Sequence, residues 1–308
     1  MAFNVSGLRD YVKNDGQLIA KVLSPEGILN NKNFPITWKT GIKRYEVLNY
    51  FDQEVNFQAE GCDSDWTTSG TTTLTDKLIS ATRLKYHDSL CPADLDEKSV
   101  SLQLSAGNNT SIPFEGLWVE SVMNEIKRKN GIMVQANAAS GTTNCEGWLH
   151  MMLADSDVHD VTTGYLSVSG STMTDDQWHA FFKSMIDGLP VKYRNKPNVG
   201  IVMGTDQFLN YQFALLKGNK YHIDPTQPVE FLLIPSTKYK IIQDPGLDGL
   251  NYCYLTYAEN LVGVADLKNE EEFITVKWDG EMDGPVKLSV HWKLGVSYYF
   301  GDAIVLGR

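Results

Sequence analysis

Residues 286–300 read VKLSVHWKLGVSYYF, with an apolar residue at every second position. Val286, Leu288, Val290, Trp292, Leu294, Val296, Tyr298 and Phe300 share one face, while Lys287, Ser289, His291, Lys293, Gly295, Ser297 and Tyr299 share the other. A period of two over that length specifies one long β-strand, half buried along its whole extent. At ~3.3 Å per residue it spans roughly 50 Å, where a usual strand has about 5–6 residues. Upstream, Asp279-Gly280 and Asp283-Gly284 bracket a turn, and residues 273–278 supply a partner strand, the pattern of a hairpin. A rod of this kind serves a chain that reaches across to its neighbours better than it serves a compact catalyst.

The rest of the composition is that of a globular chain. Its 308 residues are 42% hydrophobic and 21% charged, enough to bury a large core and to allow two domains. Lys and Arg number 27 against 38 Asp and Glu, a net charge of −11. That sign argues against phosphate-backbone binding as the main task, which needs a surplus of Lys and Arg. The opening MAFNVSGLRDYVKNDG has no basic segment followed by an apolar core, so no signal peptide is expected. No stretch approaches the ~20 apolar residues of a membrane span. Cys62, Cys91, Cys145 and Cys253 are far apart and in no metal-binding spacing. They read as reduced, mostly buried thiols, with a Cys62–Cys91 bridge as the alternative.

Along the chain, residues 1–35 carry short helical patterns (Leu8, Val12, Leu18, Ile19, Val22, Leu23) stopped by Pro25. Such an arm cannot bury its apolar face alone. Two polar, extended segments, 42–58 and 71–89, flank a tip at 60–70 rich in Gly, Asp, Ser and Thr. This hairpin carries too little oil for a core, and an isolated two-stranded hairpin is marginal in water, so it needs a surface to lie on. The alternative is a hairpin folded back on its own domain. Trp118, Val122 and Ile126 recur at i+4 within a helix predicted over 113–130. Gly131 closes it as a C′ residue, and a short strand follows at 132–135. Thr174 and Gln177 form a capping box ahead of Trp178, Phe181, Phe182, Met185, Ile186 and Leu189. Strands at 198–203, 231–234 and 252–256 and a helix at 206–217 complete a packed α/β or α+β unit over about 131–265.

Enzyme signatures are missing: the chain has no GxSxG, GxxxxGK[ST], GxGxxG or HExxH. No catalytic residue and no cofactor is assigned. Asp155, Asp157 and His159, with Asp160 and His150 nearby, have oxygen and nitrogen ligands that can hold a divalent metal. A solvated acidic loop explains the same residues more simply. Glu270-Glu271-Glu272 reads as an exposed turn, and the many aromatic residues at core-periodic positions read as packing.

Three strings carry a family resemblance. Residues 141–149, GTTNCEGWL, are similar to a small-residue loop that leads into a GLL-like helix. Residues 199–206, VGIVMGTD, resemble the strand and helix start of an axial domain, and 290–300, VHWKLGVSYYF, resemble a closing strand. Together with the order of elements, they resemble the major capsid protein of a tailed double-stranded DNA phage, the α+β Hong Kong 97 fold. The N-terminal half, including Cys62 and 67–73, further resembles capsid proteins of phages of Bacteroidetes-type hosts.

The resemblance implies an N-terminal arm (1–35), an extended β-hairpin loop (36–100) and a peripheral domain (101–131 and 271–308) with a spine helix at 113–130 and a long β-hairpin at 273–300. Residues 132–270 would be the α/β axial domain. It implies a structural role and no enzyme activity. Copies of the chain would assemble as hexamers and pentamers into an icosahedral head that encloses DNA without binding it specifically. An acidic surface suits such a container. The implied partners are further copies of itself, a separate scaffolding protein, a portal and decoration proteins, with no membrane. The implied location is the virion, after assembly in the host cytoplasm. Glu60, Gly61, Cys62, Asp63, Trp66 and Gly70 of the hairpin tip and Leu8 and Val12 of the arm are the expected inter-subunit residues. Two readings compete: an encapsulin-like shell around a protein cargo, and, more distantly, a monomeric metal-dependent hydrolase using Asp155, Asp157 and His159.

Overall fold

The computed structural model describes residues 27–42, 44–58, 68–90, 114–141, 143–162, 173–217, 231–234, 237–266, 274–278 and 285–308. In chain order its elements are β1 (Thr37–Thr40), β2 (Tyr45–Val55), β3 (Gly70–Ser80), β4 (Thr82–Leu90), α1 (Phe114–Gln135), α2 (Trp148–Ala154), β5 (His159–Val161), α3 (Asp175–Gly188) and α4 (Val191–Arg194). There follow β6 (Val199–Met203), α5 (Thr205–Lys217), β7 (Phe231–Leu233), β8 (Lys240–Gln243), β9 (Cys253–Tyr257), β10 (Leu261–Asp266), β11 (Ile274–Trp278), β12 (Val286–Tyr298) and β13 (Val305–Gly307). Single 3-10 turns lie at Gly27–Asn30, Pro245–Leu247 and Ala258–Asn260.

The long closing strand β12 organises the first sheet. β4 runs along one edge from Val286↔Leu90 to Leu294↔Thr82. On the opposite edge β11 pairs with 286–290 of β12 and β10 with 293–298, so those two strands follow each other along it. β1 adds in parallel to β10. One face of this sheet, including Leu84, Val276, Val286, Leu288, Val290, Trp292 and Leu294, shares a single apolar cluster with Val119, Met123 and Ile126 of α1.

The second sheet runs β5-β13-β9-β6-β8-β7, and all five residues of both β6 and β9 are buried. Its core is aromatic: Trp178, Phe181 and Phe182 of α3 meet Tyr211 of α5, with Phe182 and Tyr211 edge-to-face at 5.0 Å. The third sheet is the two-stranded ribbon β2–β3, paired without a break from Tyr45↔Ser80 to Val55↔Gly70.

Local sequence logic holds at most element ends. The capping box forms, with the Thr174 N–H donating to Gln177 Oε1 at 2.8 Å and Gln177 N–H donating to Thr174 Oγ1. Three expectations need correction. Helix α1 does not stop at Gly131 but continues to Gln135, absorbing the strand predicted at 132–135. A mid-helix glycine costs about 1 kcal/mol, and the burial of Asn130, Val134 and Gln135 offsets it. The turn at Pro245–Leu247 crosses there so closely that a Cβ on Gly246 would lie 2.6 Å from the Gly131 carbonyl oxygen.

The return strand predicted at 71–89 is two strands, broken at Ala81, which leaves the ribbon and joins β12 as β4. Finally, β12 is half buried only up to His291; from Trp292 to Tyr298 both faces are covered. The cover is the base of the ribbon, where Ile42, Leu48, Ile79 and Ala81 pack on Val262 and Val264. Gly295 permits the crossing, since a Cβ there would sit 2.1 Å from the Ser80 carbonyl oxygen.

Candidate subunit interface

The ribbon β2–β3 leaves the body with an apolar face turned to solvent. Antiparallel pairing puts directly opposed residues on one face, so Tyr45, Val47, Phe51 and Val55 share a side with Leu74 and Leu78. Phe51 is 64% exposed, Leu74 56%, Leu78 61% and Val55 65%. Strand β3 is Thr-rich and suits extended backbone, but its two leucines point outward, where the ribbon's own chain offers nothing to bury them. Contiguous exposed apolar residues of this kind mark interaction sites.

The opposite face is tied down near its base. Lys77 of β3 lies 3.2 Å from Asp155, just after α2, and 3.4 Å from the centre of the Tyr298 ring. The Tyr298 hydroxyl donates to the same carboxylate at 2.7 Å. Burial lowers the Lys77 pKa, and the neighbouring Asp155 carboxylate restores only part of it. Burial works against the Asp155 charge, but Tyr298, the Asp157 N–H and Lys77 outweigh it and hold the carboxyl below its usual range. Further out, Tyr50 meets Phe300 edge-on at 4.6 Å, and Asp52 stands 3.8 Å from Lys192 of α4. Lys192 also pairs with Asp302 at 2.9 Å, which raises its pKa against the effect of burial. The ribbon is therefore fixed on one face and bare on the other.

The end of the N-terminal arm has its own dock. Ile28 and Leu29 are buried in the core beneath α1, and the Trp38 indole donates to the Leu29 carbonyl at 3.2 Å. Asp244, fully buried, accepts hydrogen bonds from Gly246 N–H, the Gln135 amide and the Ile28 backbone. Burial pushes its carboxyl up to about 6. Gly27 takes φ +89° there, and a Cβ would collide with the Asp244 carboxylate.

A second apolar stripe runs along α5, where Leu209, Phe213 and Leu216 are exposed while Phe208, Tyr211 and Leu215 are buried. Its i, i+4, i+7 spacing puts the exposed three on one helix face.

Of the expected inter-subunit residues, Gly70 opens β3 opposite Val55. Glu60, Gly61, Cys62, Asp63, Trp66, Leu8 and Val12 lie outside the described residues, as does the Cys62–Cys91 pair. Cys145 and Cys253 are free and buried; burial pushes the Cys145 thiol up to about 12. Asp155 is taken up by Lys77, Tyr298 and the Asp157 N–H. Among the described residues no three His, Cys, Asp or Glu side chains converge on a metal-sized site, and no helix is long and apolar enough to cross a membrane. Phe51, Leu74 and Leu78 are not among the residues expected from the sequence; Asn49 and Gln53 interrupt the apolar odd positions Tyr45, Val47, Phe51, Val55 and Phe57.

No family model and no curated protein matches this sequence. Solved structures do. The chain is similar to the virus-like particle from Pyrococcus furiosus, with a TM-score of 0.53 at 10% identity over 97% of this chain and 99% of that one. It is similar to the capsid of the native GTA particle, with a TM-score of 0.57 at 11% identity over 92% of each chain. It is also similar to the satellite phage P4 procapsid that includes the size determination (Sid) protein, with a TM-score of 0.54 at 10% identity over 95% and 98%. The architecture is the α+β fold of these capsid structures, in agreement with the Hong Kong 97 resemblance read from the sequence.

Proposed function

We propose that the chain is the major capsid protein of a tailed double-stranded DNA phage, whose copies assemble into the head that encloses the genome. The observation that carries this is the ribbon β2–β3, whose solvent face holds Val47, Phe51, Val55, Leu74 and Leu78. Burying roughly a side chain's worth of oil contributes about 1.5–3 kcal/mol per residue, so several such residues on each clasp make association favourable. Their contact is heterologous, one surface meeting a different one on the next copy. Such contacts close into rings, here hexamers and pentamers.

On this reading residues 36–100 are the extended loop. Helix α1, with β11 and β12, forms the peripheral domain, along whose long strand the loop's β4 lies, and residues of about 132–270 form the axial domain around the ring axes. Separate scaffolding, portal and decoration proteins complete the head, which forms in the host cytoplasm and resides in the virion. The role is structural, with no catalytic centre.

Deleting residues 60–70 tests the assignment. The shortened chain is expected to remain folded, by circular dichroism and a cooperative melt, and to fail to form shells by negative-stain microscopy. Normal shells from the deletion overturn the role given to the hairpin.

A further inference from the structure

The parallel strands β6 and β8 lie side by side, and a small cleft opens just beyond their carboxyl ends. Its walls come from the β6–α5 junction (Gly204, Asp206, Gln207 and Asn210) and from residues 247–250, in the loop after β8. Ligands of open α/β sheets settle at strand ends of this kind. The two walls are tightly joined. A Cβ on Gly204 would lie 2.9 Å from the Leu247 carbonyl oxygen, and the Thr205 N–H donates to Asp248 Oδ1 at 2.6 Å. Gly249 turns the loop with φ +75°. No Lys, Arg or His lines the cleft, so its charge is that of Asp206 and Asp248, both exposed.

Acids beside a helix start have an ordinary explanation. Asp248 caps Thr205, and Asp206 in the first turn complements the helix dipole. Gln207 has no such explanation. It is 6% exposed, and its amide nitrogen donates to the Leu250 carbonyl at 3.0 Å. The amide therefore ends among the cleft residues, and its Oε1 is buried with no hydrogen-bond partner among the described residues. A buried polar atom of this kind calls for a water or an ion to complete it. Two carboxylates with the side-chain oxygens of Gln207 and Asn210 make an all-oxygen set, which suits a hard cation, whereas softer metals seek nitrogen or sulfur. The helix end contributes roughly half a positive charge against their two negative ones.

The geometry points to a calcium site between α5 and the loop at 247–250, with Asp206, Asp248, Gln207 Oε1 and the Asn210 side-chain oxygen as protein ligands and water completing the shell. A helix turn and an irregular loop suit the flexible coordination of Ca²⁺ better than the near-ideal octahedron that Mg²⁺ demands. The loop is a joint of the molecule. Just upstream, Asp244 accepts from the Ile28 backbone, and the turn at Pro245–Leu247 crosses α1 at Gly131. Bound Ca²⁺ thus clamps α5 to the segment that carries the arm's dock. With only two carboxylates the affinity belongs at the weak end, a Kd of about 10⁻⁴–10⁻³ M.

The test is isothermal titration of the full chain with calcium chloride, beside D206N, Q207L and, as a control, E259Q at an exposed acid outside the cleft. The parent is expected to take up one ion per chain. Its melting temperature should rise as Ca²⁺ reaches about 10 mM, roughly ten to a hundred times that Kd, because a ligand of the folded state stabilises it. D206N keeps the shape and removes an exposed charge, so it should melt like the parent without Ca²⁺ and bind at least about tenfold more weakly. Q207L also gives up the bond to Leu250, so its readout is the Ca²⁺-dependent rise, which is expected to vanish whatever its starting melt. E259Q should match the parent throughout. D206N binding like the parent overturns the site. So does uptake of several equivalent ions reduced alike by D206N and E259Q, which is diffuse attraction to an acidic surface. No uptake by the folded parent overturns it too and leaves Gln207 Oε1 to ordered water. Each result is read on the chain whether or not it assembles, so failure here leaves the capsid reading standing, and a chain that forms no shells leaves the site standing.

Discussion

The second sheet and the ribbon β2–β3 use the same backbone pairing to opposite ends. In β6 and β9 every side chain is buried, and aromatic rings from α3 and α5 close the core over them. In the ribbon, Leu48 and Ile79 are buried at the base, while the outward residues from Tyr45 to Val55 and from Leu74 to Leu78 stay in water. The first region gains its stability within one chain. The second holds its shape through an unbroken ladder and a few anchors, and its apolar surface is buried only when another molecule covers it. Folding and association are thereby separated in one polypeptide.

The sharpest way to break that contrast is to make the same kind of cut in both regions. Phe182→Ala in the aromatic core is expected to destabilise the chain by about 3–5 kcal/mol, read as a lowered denaturant midpoint with an unchanged slope. Phe51→Ala, at a side chain 64% exposed, should lie within roughly 0.5 kcal/mol of the parent. Equal losses at the two sites would mean the ribbon is part of the monomer's core.

Asp244 sharpens the comparison at the arm's dock. Its native carboxyl sits at about 6 against an ordinary 3.8, so between those values the folded state holds a proton that the unfolded chain has released. Stability from this group is fully present below about pH 3.8 and is lost as pH rises through 6. The full change is on the order of 2–3 kcal/mol. Asp244→Asn, which keeps the shape and removes the charge, is expected to flatten that dependence. Denaturant titrations at pH 4.5 and 7 check it: the variant should gain on the parent at the higher pH. A constant difference between the two proteins would show that the buried carboxylate is not the proton-linked group.

Much of this architecture was legible because it rests on local signals. The alternation of 286–300, the Thr174–Gln177 capping box and the apolar run at 199–203 each encode their element within a few residues. The misreadings all involve distant contacts. Gly131 has the chemistry of a helix stop, and only the crossing of Pro245–Leu247 and the burial of Gln135 carry α1 past it. The break at Ala81 is invisible until β12 offers its edge to β4. Part of the ribbon's outward oil was within reach, since Val55 and Phe57 alternate with Glu54 and Asn56. A two-stranded ribbon, however, does not say which of its faces meets the body until Lys77 and Tyr50 find Asp155 and Phe300.

The central claim is that the ribbon's bare face is buried by another copy of the chain. Its most direct test is the sedimentation profile of the full chain and of Phe51→Ser/Leu74→Ser, each expressed alone and together with a candidate scaffolding protein. The account predicts capsomers or spherical shells from the parent, and a cooperatively folding species at the 34.5 kDa monomer mass from the variant. Shells of equal yield from both proteins would contradict it.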